Sequence, residues 1–185
     1  MIRLVTSELL IRDHVPDDLQ THHEVFSSPK IMYFLPGTMT QTIEQSRENL
    51  RQSIDEIGNP QRRLYFFRIE DRVSNVHIGE IGYTITEFTP LGKLAGAGYF
   101  IRDAYWGRGY TTEALRELLR FAFQENDVYR MSCGCLKENA ASERVMQKCG
   151  MIKEAEFKEY QWHDGRLKDR VAYRALRPEW LLCPS

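Results

Sequence analysis

The 185 residues carry 25 lysine and arginine side chains against 26 aspartate and glutamate side chains, which gives a formal net charge of −1. This balance provides no overall attraction to nucleic acid or to an anionic membrane, and no apolar run approaches the roughly 20 residues that a membrane-spanning helix needs. The length and the 42% hydrophobic content predict a single domain over residues 1–185 with its own packed core. The N-terminus lacks the long apolar stretch of a signal peptide, so we expect a cytoplasmic protein that binds neither nucleic acid nor membrane.

The cysteines do not show the spacing of a disulfide framework or of a zinc site. Cys133 and Cys135 are separated by one residue, which is the spacing of alternate positions on one face of a strand. No second pair of cysteines or histidines at ligand spacing accompanies them. We therefore expect reduced thiols at Cys133, Cys135, Cys149 and Cys183, and no bound metal.

The first half of the chain predicts a strand, two helices and a β meander. Pro16, followed by two aspartates, is typical of a helix start, and Thr40 or Thr42 is placed to cap the next helix. Runs rich in isoleucine, tyrosine and threonine then predict strands, whereas Pro90 and Gly92 indicate a loop. The predicted elements are a strand at 9–12, helices from 16 and from 42 to 58, strands at 64–70 and 76–86, and a loop at 88–94.

The second half predicts strand, helix, strand, helix and hairpin. A strand that contains glycines leads through Gly107 and Gly109 into the longest amphipathic pattern of the chain, and Asn139 and Gly150 are placed to cap a shorter helix. The Asp-Gly pair after residue 163 is typical of a hairpin turn. The predicted elements are a strand at 95–102, a helix ending near 126, a strand at 128–135, a helix from 139 to 150, and hairpin strands at 154–163 and 167–176.

The loop before the longest helix is a candidate anion site. Gly107 and Gly109 would let an anion reach the unpaired N–H groups of the helix start without meeting a Cβ atom. The alternative is a tight connection in which glycine merely permits the turn. The sequence contains neither a Walker A phosphate-binding motif nor the G-x-S-x-G motif of a hydrolase nucleophile. Thr112 stands where the dinucleotide-binding motif requires its third glycine.

The segment Trp106-Gly107-Arg108-Gly109-Tyr110-Thr111 forms this loop, and Asn139-Ala140-Ala141-Ser142 begins the shorter helix. Both resemble motifs of the GNAT superfamily of N-acetyltransferases, most closely the branch of the ribosomal-protein N-terminal acetyltransferases. The first corresponds to the family signature Q/R-x-x-G-x-G/A, which binds the pyrophosphate of acetyl-CoA. The resemblance covers nearly the whole chain, through further matches at 7–12, 98–101, 105–114, 148–150 and 169–173.

The resemblance implies an α/β fold of the α+β type. A GNAT fold has a mixed central sheet, here of about seven strands splayed between the fourth and the fifth, and about four flanking helices. It also implies acetyl-CoA as the co-substrate. Its pyrophosphate would bind chiefly to backbone groups of the loop, although Trp106 replaces the usual Gln or Arg and Thr111 replaces a small residue. The implied cofactor-binding residues are Phe100, Ile101, Gly107, Arg108, Gly109, Tyr110, Thr111, Thr112, Asn139 and Ser142.

In this family an amine attacks the thioester carbonyl directly, in a ternary complex. The resemblance implies that the N–H of Phe100 or Ile101 polarises that carbonyl. Many members protonate the leaving thiolate with a tyrosine, at a position that Met146 occupies here; Ser142 is then the alternative, and Asn139 would bind the pantetheine amides. The open alternative is that Asn139 only caps its helix and Ser142 only completes its first turn.

No carboxylate precedes the glycine loop on its strand, so Glu80 on the neighbouring strand is the candidate general base, acting through water on the incoming ammonium. The alternative is a solvated glutamate with no such role. A dedicated base is unnecessary for an α-amine, whose pKa near 7.7 to 8.0 leaves an appreciable neutral fraction. Tyr83 and Tyr160 are either core residues or part of the acceptor pocket.

The sequence therefore predicts transfer of an acetyl group from acetyl-CoA to a primary amine, on a protein N-terminus or on a small molecule. Two alternatives stay open: an acyl-CoA-binding module without turnover, and a transferase that uses a longer acyl-CoA. A homodimer is expected from the relatives alone.

Overall fold

The computed structural model describes residues 1–182, so Cys183 lies outside the described residues. Eight strands form one sheet in the order β1-β2-β3-β4-β5-β6-β8-β7, in which β5 and β6 are parallel and all other neighbours are antiparallel. The elements are β1 (Arg3–Val5), β2 (Leu9–Asp13), α1 (Leu19–Phe26), α2 (Ile43–Asp55), β3 (Leu64–Asp71), β4 (His77–Thr89), β5 (Gly92–Ile101), α3 (Tyr110–Gln124), β6 (Val128–Leu136), α4 (Ala140–Lys148), β7 (Ile152–His163), β8 (Arg166–Leu176) and α5 (Arg177–Leu182).

Two predictions about the strands need correction. The segment 88–94 is not a loop, because β4 runs to Thr89 and β5 starts at Gly92, with only two residues between them. Gly92 has a φ of 126°, and a Cβ there would lie 2.8 Å from the carbonyl oxygen of Asp127. Glycine therefore marks a tight hairpin turn at this position. The three-residue β1 is too short to leave a sequence pattern, so the splayed strands are the fifth and sixth rather than the fourth and fifth.

The helices cover opposite faces of the sheet. The amphipathic α3 lies on one face, where Phe121 contacts the aromatic side chains of Tyr65 and Phe67. Five of its side chains are completely buried, and each leucine among them contributes about 2 kcal/mol of burial free energy; they are Ala114, Leu115, Leu118, Leu119 and Ala122. Helices α1 and α2 pack together on the other face, with α2 against β3. Among residues 1–182 we find no helix with the length and apolarity needed to cross a bilayer.

The sheet parts between β5 and β6. Their paired residues end at Gly96 and Ser132, after which β5 continues to Ile101 and β6 to Leu136 without pairing to each other. Beyond this point β5 remains paired to β4, and β6 remains paired to β8. The predicted splay is confirmed, and it leaves a gap between two strands that are each held from one side only.

Candidate active site

The start of α3 presents unpaired N–H groups to solvent. Gly109 stands at the N-cap with a φ of 86° and provides no side-chain cap. By contrast, the side chains of Thr42 and Asn139 cap α2 and α4. Gly107, Arg108 and Gly109 are exposed, and a Cβ at either glycine would meet nothing within 4 Å. An anion can therefore approach the first turn of α3 unobstructed.

A groove with a volume of about 690 Å³ runs from this loop along α3. Its cationic side chains are Arg108, Arg116, Arg120 and Lys148. The Arg108 guanidinium lies 5.3 Å from the ring centroid of Tyr105, so it packs on its own loop. Glu113 and Glu117 also line the groove, so four cationic and two anionic side chains leave an excess of positive charge, and the groove is large enough for a nucleotide.

Alternation of hydrogen bonds along β4 and β5 determines which backbone groups face the gap. The N–H of Arg102 donates to the carbonyl of Ile78 at 2.7 Å. Because hydrogen-bonded and non-hydrogen-bonded pairs alternate in an antiparallel ladder, Tyr99 and Ile101 turn their N–H and C=O groups away from β4 and into the gap, and so does the C=O of Ala97. The intervening residues turn theirs towards β4.

The sequence predicted that the N–H of Phe100 or of Ile101 faces the thioester. The alternation directs the N–H of Ile101 into the gap and the N–H of Phe100 towards β4. The carbonyl of Ile101 accepts a hydrogen bond of 3.0 Å from the indole N–H of Trp106. This contact explains the tryptophan at the start of the glycine motif, because its side chain fastens the loop to the end of β5. The Phe100 ring packs edge-on against Phe26 of α1, with 5.1 Å between the centroids.

A pair of hydroxyl groups connects the parted strand to α4. The Tyr99 hydroxyl lies 3.0 Å from Ser142 Oγ and 3.1 Å from the carbonyl oxygen of Ser142. The Asn139 side chain accepts from the Ser142 N–H at 3.1 Å, so it does cap α4. Met146 is completely buried in the core. Tyr99 is thus a candidate that the sequence reasoning missed.

Glu80 occupies a buried cluster of three histidines, which we call the histidine cluster: His14, His22, His77 and Glu80. Glu80 Oε2 lies 2.9 Å from His14 Nε2, and Glu80 Oε1 lies 3.3 Å from His22 Nδ1 and 3.1 Å from His77 Nε2. The far nitrogen of His22 lies 2.9 Å from the side-chain oxygen of Asn49 on α2. Glu80 is therefore not a solvated strand glutamate.

The surroundings of the histidine cluster favour one imidazolium. Among residues 1–182, three arginines pair with Asp13, Asp18 and Glu70 at 2.7–2.8 Å, whereas Glu80 has only histidines around it. Burial alone would lower the pKa of His14, but the negative charges of Glu80 and Asp18 and the close contact with Glu80 outweigh it and raise this pKa to about 9. Burial alone would raise the pKa of Glu80, but His14 holds it well below its usual range.

His14, His22 and Glu80 also place their ligand atoms within 4.8 Å of one another, close enough to hold a metal ion. We interpret them as a hydrogen-bonded group for two reasons. The 2.9 Å between His14 Nε2 and Glu80 Oε2 is the length of a charge-assisted hydrogen bond. This buried region also holds four carboxylates, Asp13, Asp18, Glu70 and Glu80, but only three guanidinium groups. One imidazolium supplies the positive charge that balances the fourth carboxylate.

The ion pair should make stability depend on pH. Because folding raises the pKa of His14 from 6.5 to about 9, its contribution is complete below pH 6.5 and is lost as the pH rises through 9. This contribution is at most about 3 kcal/mol. We expect urea unfolding to show a stability advantage over His14→Gln that shrinks between pH 6 and pH 10. A constant advantage over this range would contradict the ion pair, and His23→Gln, which alters a histidine outside the cluster, is the control.

Other predicted positions have structural roles. Tyr83 is completely buried, stacks on Tyr65 with 4.8 Å between the centroids, and accepts a hydrogen bond from Asn126, so it is a core residue. Tyr160 is exposed on β7. Burial raises the pKa of the Cys133 thiol to about 12, which keeps it protonated at neutral pH.

Comparison with known proteins agrees with this geometry. Residues 8–152 match the acetyltransferase (GNAT) domain family. The chain is 28% identical to the uncharacterized N-acetyltransferase YnaD of Bacillus subtilis over 97% of this chain and 99% of that protein. It is 26% identical to the ribosomal-protein-serine acetyltransferase of Escherichia coli over 71% of this chain and 73% of that protein.

Solved structures show the same fold. The ribosomal-protein-S5-alanine acetyltransferase of Vibrio fischeri superposes with a TM-score of 0.84 at 20% identity, covering 97% of this chain and 99% of that one. The spermidine N-acetyltransferase of Vibrio cholerae, solved with CoA and spermine, gives a TM-score of 0.81 at 19% identity, covering 95% and 99%. With the family match over most of its length, the parted strands and the open helix start, the chain belongs to the GNAT acetyltransferase family and is an acetyl-CoA-dependent acyltransferase.

Proposed function

We propose that the protein transfers the acetyl group of acetyl-CoA to a primary amine by direct attack in a ternary complex. The observation that carries this proposal is the combination of an uncapped helix start with a gap between β5 and β6 directly beside it. A diphosphate fits the first feature, and an extended amide chain fits the second. Acetyl-CoA has these two parts in the same order.

The backbone from Gly107 to Thr112 would hold the pyrophosphate, with Arg108, Tyr110 and Thr111 contributing mainly their N–H groups. The pantetheine arm would then enter the gap and pair with the backbone groups of Ala97, Tyr99 and Ile101. Asn139 follows the end of β6 by three residues, and its side-chain amide, which caps α4, would also bind a pantetheine amide. The cationic groove along α3 would accept the remaining phosphate and the adenosine.

The N–H groups of Ile101 and Tyr99 are the donors that can polarise the thioester carbonyl. As the amine attacks, negative charge develops on this oxygen, and a fixed donor in a site without water stabilises it. One such donor is typically worth about 3 kcal/mol, or roughly a hundredfold in rate. Because these donors belong to the backbone, side-chain substitutions will leave them in place.

Glu80 would act on the nitrogen of the acceptor. Attack by a neutral amine creates positive charge on that nitrogen, and a nearby carboxylate stabilises it, directly or through one water. The proton that the nitrogen then loses passes by way of the carboxylate and water to bulk solvent. The low pKa of Glu80 suits this role, because the group stays ionised and does not retain the proton.

A protein N-terminus is the acceptor that we propose. Relatives of this chain are named for ribosomal proteins, and a structural neighbour is named for spermidine. An α-amine has a pKa near 7.7 to 8.0, whereas alkyl amines such as lysine lie near 10.4, so at neutral pH the α-amine offers a neutral fraction larger by a factor of about 300. This difference matters for an enzyme whose carboxylate is a weak base.

The test is acetyl-CoA turnover with an amine panel. We expect release of free CoA when the protein is incubated with acetyl-CoA and peptides bearing a free N-terminus, and no release with N-terminally blocked peptides that lack lysine. Calorimetry should show acetyl-CoA binding without any acceptor. Binding without release for any amine would instead support an acyl-CoA-binding module, and preference for a longer acyl-CoA in competition would correct the donor. Absence of binding at millimolar acetyl-CoA would end the proposal.

The Tyr99–Ser142 hydroxyl pair would donate a hydrogen bond to the leaving thiolate, which then takes its proton from solvent; burial raises the pKa of Tyr99, so this hydroxyl keeps its own proton. We expect Ser142→Ala and Tyr99→Phe each to lower kcat about tenfold, and the double variant to lower it hardly further, because the two hydroxyls act as one unit. Steady-state kinetics with acetyl-CoA saturating measures this. Multiplicative effects of the two substitutions would contradict a shared role, and Ser74→Ala, in the exposed turn after β3, provides a hydroxyl-deletion control away from the site.

A further inference from the structure

Within the histidine cluster, the residual exposed surface belongs mainly to Glu80. The side chains of His14, His22 and His77 are each 1% exposed, whereas that of Glu80 is 7% exposed. A carboxylate has about four positions at which it accepts hydrogen bonds, and the nearby imidazole nitrogens, two at Oε1 and one at Oε2, take at most three of them. One acceptor position is therefore left for a group outside the cluster.

The free side of Glu80 lies on the sheet face opposite α3. Glu80 is paired across the strands with Phe100 of β5, the strand that borders the gap, and Phe100 contacts Phe26 of α1 on this face. The His22 ring packs against Phe26 in a tilted arrangement with 4.1 Å between the centroids. The cofactor groove and α3 occupy the other face, so an amine that reaches the gap from the α1 side meets the carboxylate there.

We propose that His14, His22 and His77 are positioning residues that hold Glu80 as an ionised carboxylate with one acceptor position directed at the amine. This inference rests on the proposed function, because it assigns a role to the histidines in the same reaction. The three imidazoles hold both carboxylate oxygens from three different segments: the turn before α1, α1 itself and the start of β4.

An arginine partner would also keep Glu80 ionised, and the neighbouring carboxylates have arginines. A bidentate guanidinium, however, binds both oxygens and would compete with the acceptor ammonium for the same charge. The three imidazoles leave one acceptor position of Glu80 open. Only one of them is charged, so each contact is weaker than a bidentate contact with a guanidinium group. This difference explains why the carboxylate nearest the gap is the one surrounded by histidines.

Charged groups from every packed element contribute to the state of Glu80. Arg68 of β3 is its cross-strand neighbour, but its guanidinium is engaged with Glu70 and Asp18. Asp18 Oδ2 also lies 3.6 Å from His14 Nδ1 and supports the imidazolium. Besides the three histidines of the cluster, the titratable or charged side chains around Glu80 are Asp18, Arg12, Arg68 and Glu70.

The experiment is the pH dependence of kcat/KM for the amine acceptor between pH 5.5 and 8. In the unchanged protein Glu80 is ionised throughout, so log kcat/KM should rise with a slope of about 1 below the acceptor pKa, following the neutral amine alone. In His14→Leu the pKa of Glu80 should rise into the measured range. The slope should then steepen towards 2 at the acid end, with a loss of at least tenfold relative to the unchanged protein at pH 5.5.

His14→Gln keeps a hydrogen-bond donor without the charge, and we expect an intermediate profile, which guards against loss of folding in His14→Leu. His23→Gln should leave the profile unchanged, because the His23 side chain bonds Ser46 rather than Glu80. A uniform drop at all pH values in folded His14→Leu and His14→Gln would overturn the positioning role. Stoichiometric metal in the purified protein, lost with either substitution, would also overturn it.

The outcomes separate this inference from the proposed function. Failure of the unchanged protein to release CoA with any amine removes the acetyl-transfer proposal itself. Normal turnover with identical pH profiles for all variants removes only the role of the histidines. Normal turnover with a steeper acid limb confined to the His14 variants supports both.

Discussion

Replacing Glu80 by glutamine is expected to lower kcat/KM for the amine acceptor by about 10²- to 10³-fold, the effect of removing a fixed group that stabilises charge in the transition state. The substitution preserves the size of the side chain and removes only its charge. The dissociation constant for acetyl-CoA should stay unchanged, because Glu80 and the loop at the start of α3 serve different faces of the sheet. Initial rates of CoA release together with calorimetry measure the two quantities separately.

The matched control is Glu87→Gln, which changes an exposed glutamate on the same strand and should keep full activity. Because Glu80→Gln also removes the ion pair with His14, thermal unfolding should confirm that the variant is folded at the assay temperature. Glu80→Asp retains the charge but withdraws it by one methylene, so it should recover part of the lost rate. Activity of Glu80→Gln within twofold of the unchanged protein would remove Glu80 from the mechanism.

Replacing Gly109 by alanine is expected to weaken acetyl-CoA binding by about 10- to 100-fold. Gly109 has a φ of 86°, which costs an alanine roughly 1 to 2 kcal/mol, so the loop should shift and turn at least one N–H away from the pyrophosphate. A hydrogen bond to a charged group is worth about 1.5–3 kcal/mol, which corresponds to this range of affinity. Calorimetric titration with acetyl-CoA and with CoA gives the dissociation constants.

Gly58→Ala is the control for backbone strain. Gly58 has a φ of 85° and open space around its Cβ position, so the substitution imposes the same conformational cost, but it lies after α2, away from the cofactor loop. The two variants should lose similar stability, and only Gly109→Ala should lose affinity. Equal affinities in both variants would show that the pyrophosphate does not bind at the start of α3.

Local signals were sufficient to predict most of the elements and the glycine turn before α3. The capping threonine of α2, the asparagine cap of α4 and the apolar spacing of α3 act over a few residues, and each predicted its helix. The glycines of the loop before α3 are equally local, because only residues without a Cβ adopt those backbone angles freely. The prediction failed for 88–94, where proline and glycine marked a two-residue turn instead of a loop.

The surroundings of Glu80 and Ser142 depended on contacts that no local pattern encodes. His14, His22, His77 and Glu80 are separated by up to 66 positions in the sequence, and strand register together with the packing of α1 brings them within hydrogen-bond distance. The direction of the Ile101 N–H follows from the pairing of β4 with β5, and the approach of Tyr99 to Ser142 follows from the parting of β5 and β6.

The sequence by itself determined most of the elements and the glycine turn before α3, because short-range sterics and hydrophobic spacing decide those features, and its motifs at 106–111 and 139–142 determined the family and with it the fold. Only the tertiary structure decided which side chains surround Glu80 and which hydroxyl contacts Ser142. Electrostatic coupling and hydrogen bonding depend on distances of about 3 Å, and such distances between remote segments exist only once the chain has folded.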